Sequence, residues 1–484
     1  MKLNKTIFYL FLGTSLALGT TSCSDYLDTE PITDQAVPLS DTPYTTLAQA
    51  DNLMTTIYNG LGSEYWQLDY FFNGDAQTDV AYMGGDNPQN QQQSEYRILA
   101  TNSNVSRDWN YLYGLINNCN KVLNYVDNIT DPALTPARKA QMKAEAATMR
   151  AMYYFHAVQL WGDIPIVTKA VIGVNSQNFE EVYAQVYPNR KPVSEVYALI
   201  LEDLEGAAAV LPSSADKYKV SKGVALSLLA KVYATKPSPD YTKVISYTDQ
   251  VIGQGYSLLP NYQNLFDNAH NANAESIFEI NGNGGSIWWW GASMFIGNDW
   301  KKFNNPSNDL VKSFDAEGDA VRKAATVKFE AVGWADNYWT SANYPFAWKQ
   351  RDTSGNQNNY LLRLADLILL KAEAKVKTGA FSEAAVLINQ VRTRAGLSAV
   401  ATITSEADGI NKVLHERKLE LAFEGHRWFD LKRTGKALEI IKNRKDQNGV
   451  VLPYTANLTE QKLLWPIPQN QIDNNPNLTQ NAGY

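Results

Sequence analysis

Apolar positions recur every third or fourth residue along much of this chain, a rhythm that predicts helices. Positions 109, 112, 116, 119, 123 and 126 keep it. So do 193, 197, 200, 204, 207 and 211, a run that opens beside Pro192 and stops at Pro212. Between them, Ala137 to Trp161 is rich in Ala, Met and Lys and reads as a third helix. His415 to Arg433 reads as one long helix with two occupied faces. Arg417, Glu420, Glu424 and Arg427 form one stripe, and His415, Leu419, Ala422, Phe423, His426 and Phe429 form the other. Such a helix borders a core and carries an ion ladder along its own surface. A metal or catalytic cluster is disfavoured. His415 and His426 lie three turns apart, roughly 16 Å at helical rise, too far to ligate one ion.

A weaker signal repeats. The segment from Leu228 to Val251 echoes that from Leu369 to Val391, each a helix, a tight turn and a second helix with small residues at the crossing. This is a faint tetratricopeptide pattern. One such pair cannot bury its apolar face alone, so several should stack. The expected fold is mostly α, a tetratricopeptide-like scaffold over about 105–255 and 359–435. The rhythm fails over about 256–358, where Gly, Asn and aromatic residues take over and Ser276 to Ile280 reads as a short strand. Seven of the 12 Trp fall between 288 and 348. A long irregular insertion in a rigid frame is where function concentrates. Tyr65 to Gln93, with Asp75, Asp79, Tyr82 and Asn87, reads as a second polar, loop-like stretch, and the last twenty residues as a closing strap.

The first residues are an export signal. Lys2 and Lys5 give a basic start, Ile7 to Leu18 a short apolar run, and small residues lead to Cys23. Cys23 sits where a lipoprotein is cleaved and acylated. Cleavage there removes two lysines and takes the formal charge from −7 to −9. Residues 1–22 are thus read as signal peptide and 23–45 as a lipidated tether rich in Thr, Asp and Pro. The other cysteine, Cys119, shares an apolar stripe with Trp109, Leu112, Ile116 and Leu123 and reads as a small buried hydrophobe. No disulfide framework follows.

The charge sets nucleic acid aside, because no block of Lys and Arg stands out. No phosphate loop with its Lys, no Gly-x-Ser-x-Gly elbow and no His-Glu-x-x-His occurs. No cofactor is implied and no catalytic residue is assigned. What remains is an aromatic surface with amides and carboxylates around it. Sugar C–H faces pack on Trp and Tyr rings, and sugar hydroxyls need the donors and acceptors that Asn, Asp, Gln, Lys and Arg supply. In Trp288-Trp289-Trp290 an extended backbone would turn Trp289 away from its neighbours, so only one or two of the three would reach a ligand.

Four stretches carry a family resemblance. They are Arg417-x-x-Glu420-Leu-Ala-Phe-Glu424-Gly-His-Arg427-x-x-Asp430-Leu, Arg150-Ala-x-Tyr-x-x-His through Trp161-Gly-Asp-Ile-Pro, Leu362-Arg-Leu-Ala-Asp366 through Glu373-Ala, and Trp465-Pro-Ile-Pro through Asn475-Pro-Asn to Tyr484. Together and in their order along the chain they resemble the SusD/RagB family, surface lipoproteins of Bacteroidetes that capture nutrients, usually glycans. The resemblance implies one SusD-like domain over 46–484 and a helical repeat scaffold. It also implies a glycan site between an early loop and the later insertion. By position the ligand residues would be Asp79 and Tyr82 with Trp289, Trp290, Trp300, Trp334 and Trp339. The implied role is non-catalytic capture of oligo- or polysaccharide at the outer membrane, beside a SusC-like TonB-dependent transporter. Two other readings stay open. One is an all-helical polysaccharide hydrolase or lyase using two of Asp299, Asp309, Asp315, Glu317, Asp319, Glu330, Asp336 and Asp352. The other is a helical-repeat scaffold that binds protein.

Overall fold

The structure is a computed structural model, and it describes residues 44–170, 179–282 and 290–484. The signal peptide, Cys23 and most of the tether lie outside the described residues, as do Trp288 and Trp289.

The helical rhythm becomes helices. Ser103–Tyr125 starts at Asn102, whose side chain accepts from the amides of Asn104 and Val105. Pro136–Trp161 starts with a Thr135 cap and Pro136 in the first turn, and it stops at Gly162, whose φ is 74°. Val193–Val210 follows Pro192 and ends before Pro212. These three lie side by side. The layer continues through Lys222–Thr235, Tyr241–Ile252, Leu364–Lys377 and Phe381–Arg394, each against the one before it. Cys119 is buried among them. The two halves of the faint repeat therefore meet: Tyr241–Ile252 packs on Leu364–Lys377 although more than a hundred residues separate them. Strand Ser276–Ile280 pairs antiparallel with Asn359–Arg363 and closes the neck of the insertion.

Three expectations need correction. First, the insertion is more regular than its composition indicates. It holds helices Asn308–Glu317 and Ala320–Thr326, capped by Ser307 and Asp319, and a hairpin pairing Val327–Ala331 with Asn343–Ala347. Second, residues 65–93 are not a polar loop. Tyr65–Asp69 is a π-turn, Tyr70–Asp75 and Pro88–Ser94 are helical, and most of the side chains are buried. Some of their polar groups find partners inside: Asn73 donates to Asp108 at 2.8 Å and Gln93 to Asn73 at 2.8 Å.

Third, His415 to Arg433 is not one helix. Glu406–Leu421 ends, Phe423 and Gly425 take φ of 64° and 78°, and Arg427–Arg433 begins anew. The break is made by tertiary contact. Gly74 lies backbone to backbone with Gly425, and the Tyr70 ring covers Gly425 so closely that a Cβ there would sit 2.8 Å from it. The freed carbonyls find side-chain donors: Lys349 and Arg363 donate to that of Glu420, and Gln350 to that of Phe423, each at 2.8 Å. The charges form no ladder along one surface. Glu420 and Glu424 both grip Arg363 from the neck strand, Arg417 takes Asp366 and Asp430, and all are buried.

The closing strap holds as read. The Trp465 amide donates to the carbonyl of Leu160, and the Asn481 side chain donates to that of Trp161.

Candidate functional site

The early loop and the insertion meet at a two-residue ladder, Ala81–Tyr82 antiparallel to Asn305–Pro306. Beyond it the Gly84 amide donates to the Lys302 carbonyl at 3.2 Å. Gly85 comes so close that a Cβ would lie 2.9 Å from the Phe303 ring. Glycine is needed because the Phe303 ring closes on the Gly85 backbone.

At this junction three half-buried rings emerge. Trp300 stands edge-on to Phe303, with centroids 5.0 Å apart. The Lys302 ammonium sits 4.4 Å from the Trp300 ring centre and is held by Asp299 at 2.8 Å and by the Ser293 carbonyl at 2.9 Å. Trp334 donates its indole N–H to the Asn298 carbonyl at 3.1 Å and meets Tyr344 at 4.6 Å. Asn298 and Asp299 are exposed beside these rings. Trp290 packs partly on the core, its amide donating to Gln67 of the π-turn at 2.9 Å. The arrangement offers ring faces, an amide and a carboxylate on one surface, the chemistry that holds a flat polar ring.

The remaining expected contacts lie inside. Asp79 is buried and spends both carboxylate oxygens on Arg427, at 2.8 and 2.9 Å, with Lys418 at 3.3 Å. Burial works to raise its pKa, but these two cations win and hold it well below the usual carboxylate range. Tyr82 is buried, stacked on Tyr338 at 3.9 Å and hydrogen-bonded to the Tyr344 hydroxyl. Trp339 is buried with its N–H on the Pro306 carbonyl at 3.1 Å. These three support the junction instead of facing a ligand. Of the expected set, Trp300 and Trp334 share the half-exposed surface, with Trp290 beside the core, and Trp289 lies outside the described residues. Phe303 was missed because a lone Phe in a ring-rich stretch carries no signal of its own.

The two histidines of His415 to Arg433, the signature segment of the resemblance, part company. His415 pairs with Glu317 at 3.0 Å. His426 lines a small cavity of about 40 Å³ with His156, Lys231, Asp366, Arg417 and Asp430, room for about one water. Burial, then the Lys231 charge, pushes His156 down to about 3 and His426 to about 4. Among the described residues no group of three His, Cys, Asp or Glu is placed to hold a metal ion.

The acids a hydrolase would draw on are engaged. Asp315 pairs with Lys323, Glu317 with Arg392, Asp319 with Arg322, Glu330 with Lys328 and Asp336 with Lys301. Asp352 accepts from Asn268 and Ser354, and Asp309 from the Lys445 amide. Two acids outside that set, Asp69 and Asp108, are both shifted upward, first by burial. They lie buried against Arg107.

Comparison with known proteins agrees with this architecture. A sequence model described as the SusD family matches residues 294–484, and one described as starch-binding associating with outer membrane matches 25–234. SusD-like protein P25 of Formosa agariphila is 27% identical, with all of both chains covered. The starch-binding protein SusD of Bacteroides thetaiotaomicron is 25% identical, over 72% of this chain and 74% of that one. Among solved structures, a SusD superfamily protein from Bacteroides vulgatus superposes with a TM-score of 0.75 at 20% identity, covering 90% of this chain and 99% of that one. A laminarin-binding SusD-like protein does so at 0.73 and 24%, covering 91% and 100%. Matched at both ends by sequence models of one kind and along its length by proteins of that kind, this helical-repeat chain belongs to the SusD/RagB family.

Proposed function

We propose that this protein is a non-catalytic glycan-binding lipoprotein of the outer-membrane surface. It captures oligo- or polysaccharide and passes it to a SusC-like TonB-dependent transporter. The observation that carries the reading is the junction of early loop and insertion, where Trp300, Phe303 and Trp334 stand half-buried beside exposed Asn298 and Asp299. Rigid rings lose little entropy when a sugar ring settles on them. Relatives named for starch and laminarin support a glycan as the ligand, and a family description that names the outer membrane supports the location. Among the described residues no helix is long and apolar enough to cross a membrane. Attachment is assigned to lipid on Cys23. The domain reading is one SusD-like domain over 46–484 behind a signal peptide at 1–22 and a lipidated tether at 23–45.

The test is calorimetric titration of the purified protein against a polysaccharide panel, followed by long incubation and product analysis. The expected outcome is saturable binding with the glycan left intact. New reducing ends or unsaturated sugars would overturn the non-catalytic reading.

A further inference from the structure

The glycan reading leaves the class of glycan open, and the charges at the junction narrow it. We infer that the ligand is an uncharged glycan, and that polyuronates and sulfated polysaccharides are refused. The inference rests on the site proposed above.

An anionic sugar is held by free cations, through charge-assisted hydrogen bonds. The loops that form the junction, 83–87, 290–304 and 332–342, contain two cations, Lys301 and Lys302. Neither is free. The Lys302 side chain is 3% exposed, and its ammonium is taken by Asp299, by the Ser293 carbonyl and by one face of Trp300. Lys301 lies 3.6 Å from Asp336, a buried carboxylate that also accepts from the amides of Tyr338 and Trp339. Against these two stand three acids, Asp86, Asp299 and Asp336, and the Asp299 side chain is 69% exposed. The balance is one negative charge, with Asp86 and Asp299 outermost.

Lys302 has a second consequence. Its ammonium covers one face of Trp300, so a sugar ring can stack only on the opposite face. The same lysine that removes a cation from the surface fixes the ring that remains.

The experiment titrates the whole mature protein with uncharged polymers (soluble starch, laminarin, xylan and mannan) and with alginate and carrageenan, each at low and high salt. Binding is expected with one or more uncharged polymers, with affinity independent of salt, and at least about tenfold weaker with the anionic ones, as repulsion from the one net negative charge of the junction implies. Asp86→Lys should raise the affinity for alginate or carrageenan at low salt. Tight, salt-sensitive binding of an anionic polymer by the unaltered protein would overturn the inference while leaving the glycan reading intact. Binding to no polymer at either salt would overturn the glycan reading itself, and the inference with it.

Discussion

Arg427 and Asp79 form a two-pronged buried ion pair, Nε on Oδ1 at 2.8 Å and Nη2 on Oδ2 at 2.9 Å, across 348 positions of chain. Arg427 also donates to the Leu414 carbonyl. The pair ties the restart of the signature segment to the strand of the early loop, two residues before the ladder with the insertion. Removing one partner of a buried pair leaves the other charge without compensation, which costs about 3–5 kcal/mol. Asp79→Ala should therefore lose stability of that order in denaturant unfolding. Any loss of glycan affinity should accompany the loss of fold.

Gly74 and Gly425 make a second such joint. A Cβ on Gly74 would enter the Gly425 backbone, and neither main chain can yield without moving the turn. Gly74→Ala should destabilise by at least about 3 kcal/mol, the upper range for point changes. Gly114→Ala is the control, because a Cβ there meets nothing within 4 Å. It should be neutral or stabilising by a few tenths of a kcal/mol, since Ala favours a helix interior.

The two classes of tryptophan should separate in paired measurements. Trp300→Ala and Trp334→Ala should weaken glycan binding by about 1–3 kcal/mol in calorimetry, the range of an aromatic hot spot. Their melting temperatures should move little. Trp161→Ala should do the reverse, because Trp161 is fully buried and its loss leaves a large cavity costing about 3–5 kcal/mol.

Acid should loosen the protein through the cavity at the signature segment. His156 and His426 are held to about 3 and about 4 in the folded state, against about 6.5 when unfolded. Between those values the unfolded chain binds protons that the folded chain refuses. Stability from the neutral rings is thus complete above pH 6.5 or so and falls as pH drops toward 4, by about 1–3 kcal/mol for each ring. Unfolding curves at neutral and mildly acidic pH measure it. His426→Gln should flatten the dependence, and an unchanged slope would remove His426 from this account.

Anchoring and partnership follow from the proposed function. Cys23→Ala should strand the precursor or release the protein, because two or three acyl chains at about 0.8 kcal/mol per buried CH₂ would otherwise hold it. Gentle detergent extraction of the native protein should bring down a SusC-like barrel. Retention of the Cys23 variant, or repeated purification without a barrel, would count against the respective claim.

The long helices were legible because their signal is local. Apolar residues at helical spacing, with Asn102, Thr135, Pro136 and Gly162 at the ends, specify an element whatever surrounds it. The faint repeat was legible for the same reason, down to its two halves packing together across the insertion. The break after Leu421 was not. Gly425 is a lone local stop signal among Ala422, Phe423 and Glu424, and contact with Gly74 and Tyr70, with Lys349, Gln350 and Arg363 meeting the freed carbonyls, makes the turn the lower state. The candidate site divides in the same way. Composition drew attention to the insertion, but Trp300 and Trp339 read identically as letters. Trp339 is interior because Pro306 offers its N–H a carbonyl from another segment, while Lys302 props Trp300 at the surface. Asp79 looked like a ligand residue until Arg427 arrived beside it. Periodicity and capping act between neighbours in sequence, so the chain alone determined the long helices of its repeat scaffold and the fold class. Burial and pairing act between neighbours in space, so the tertiary structure alone decided which rings and charges face outward.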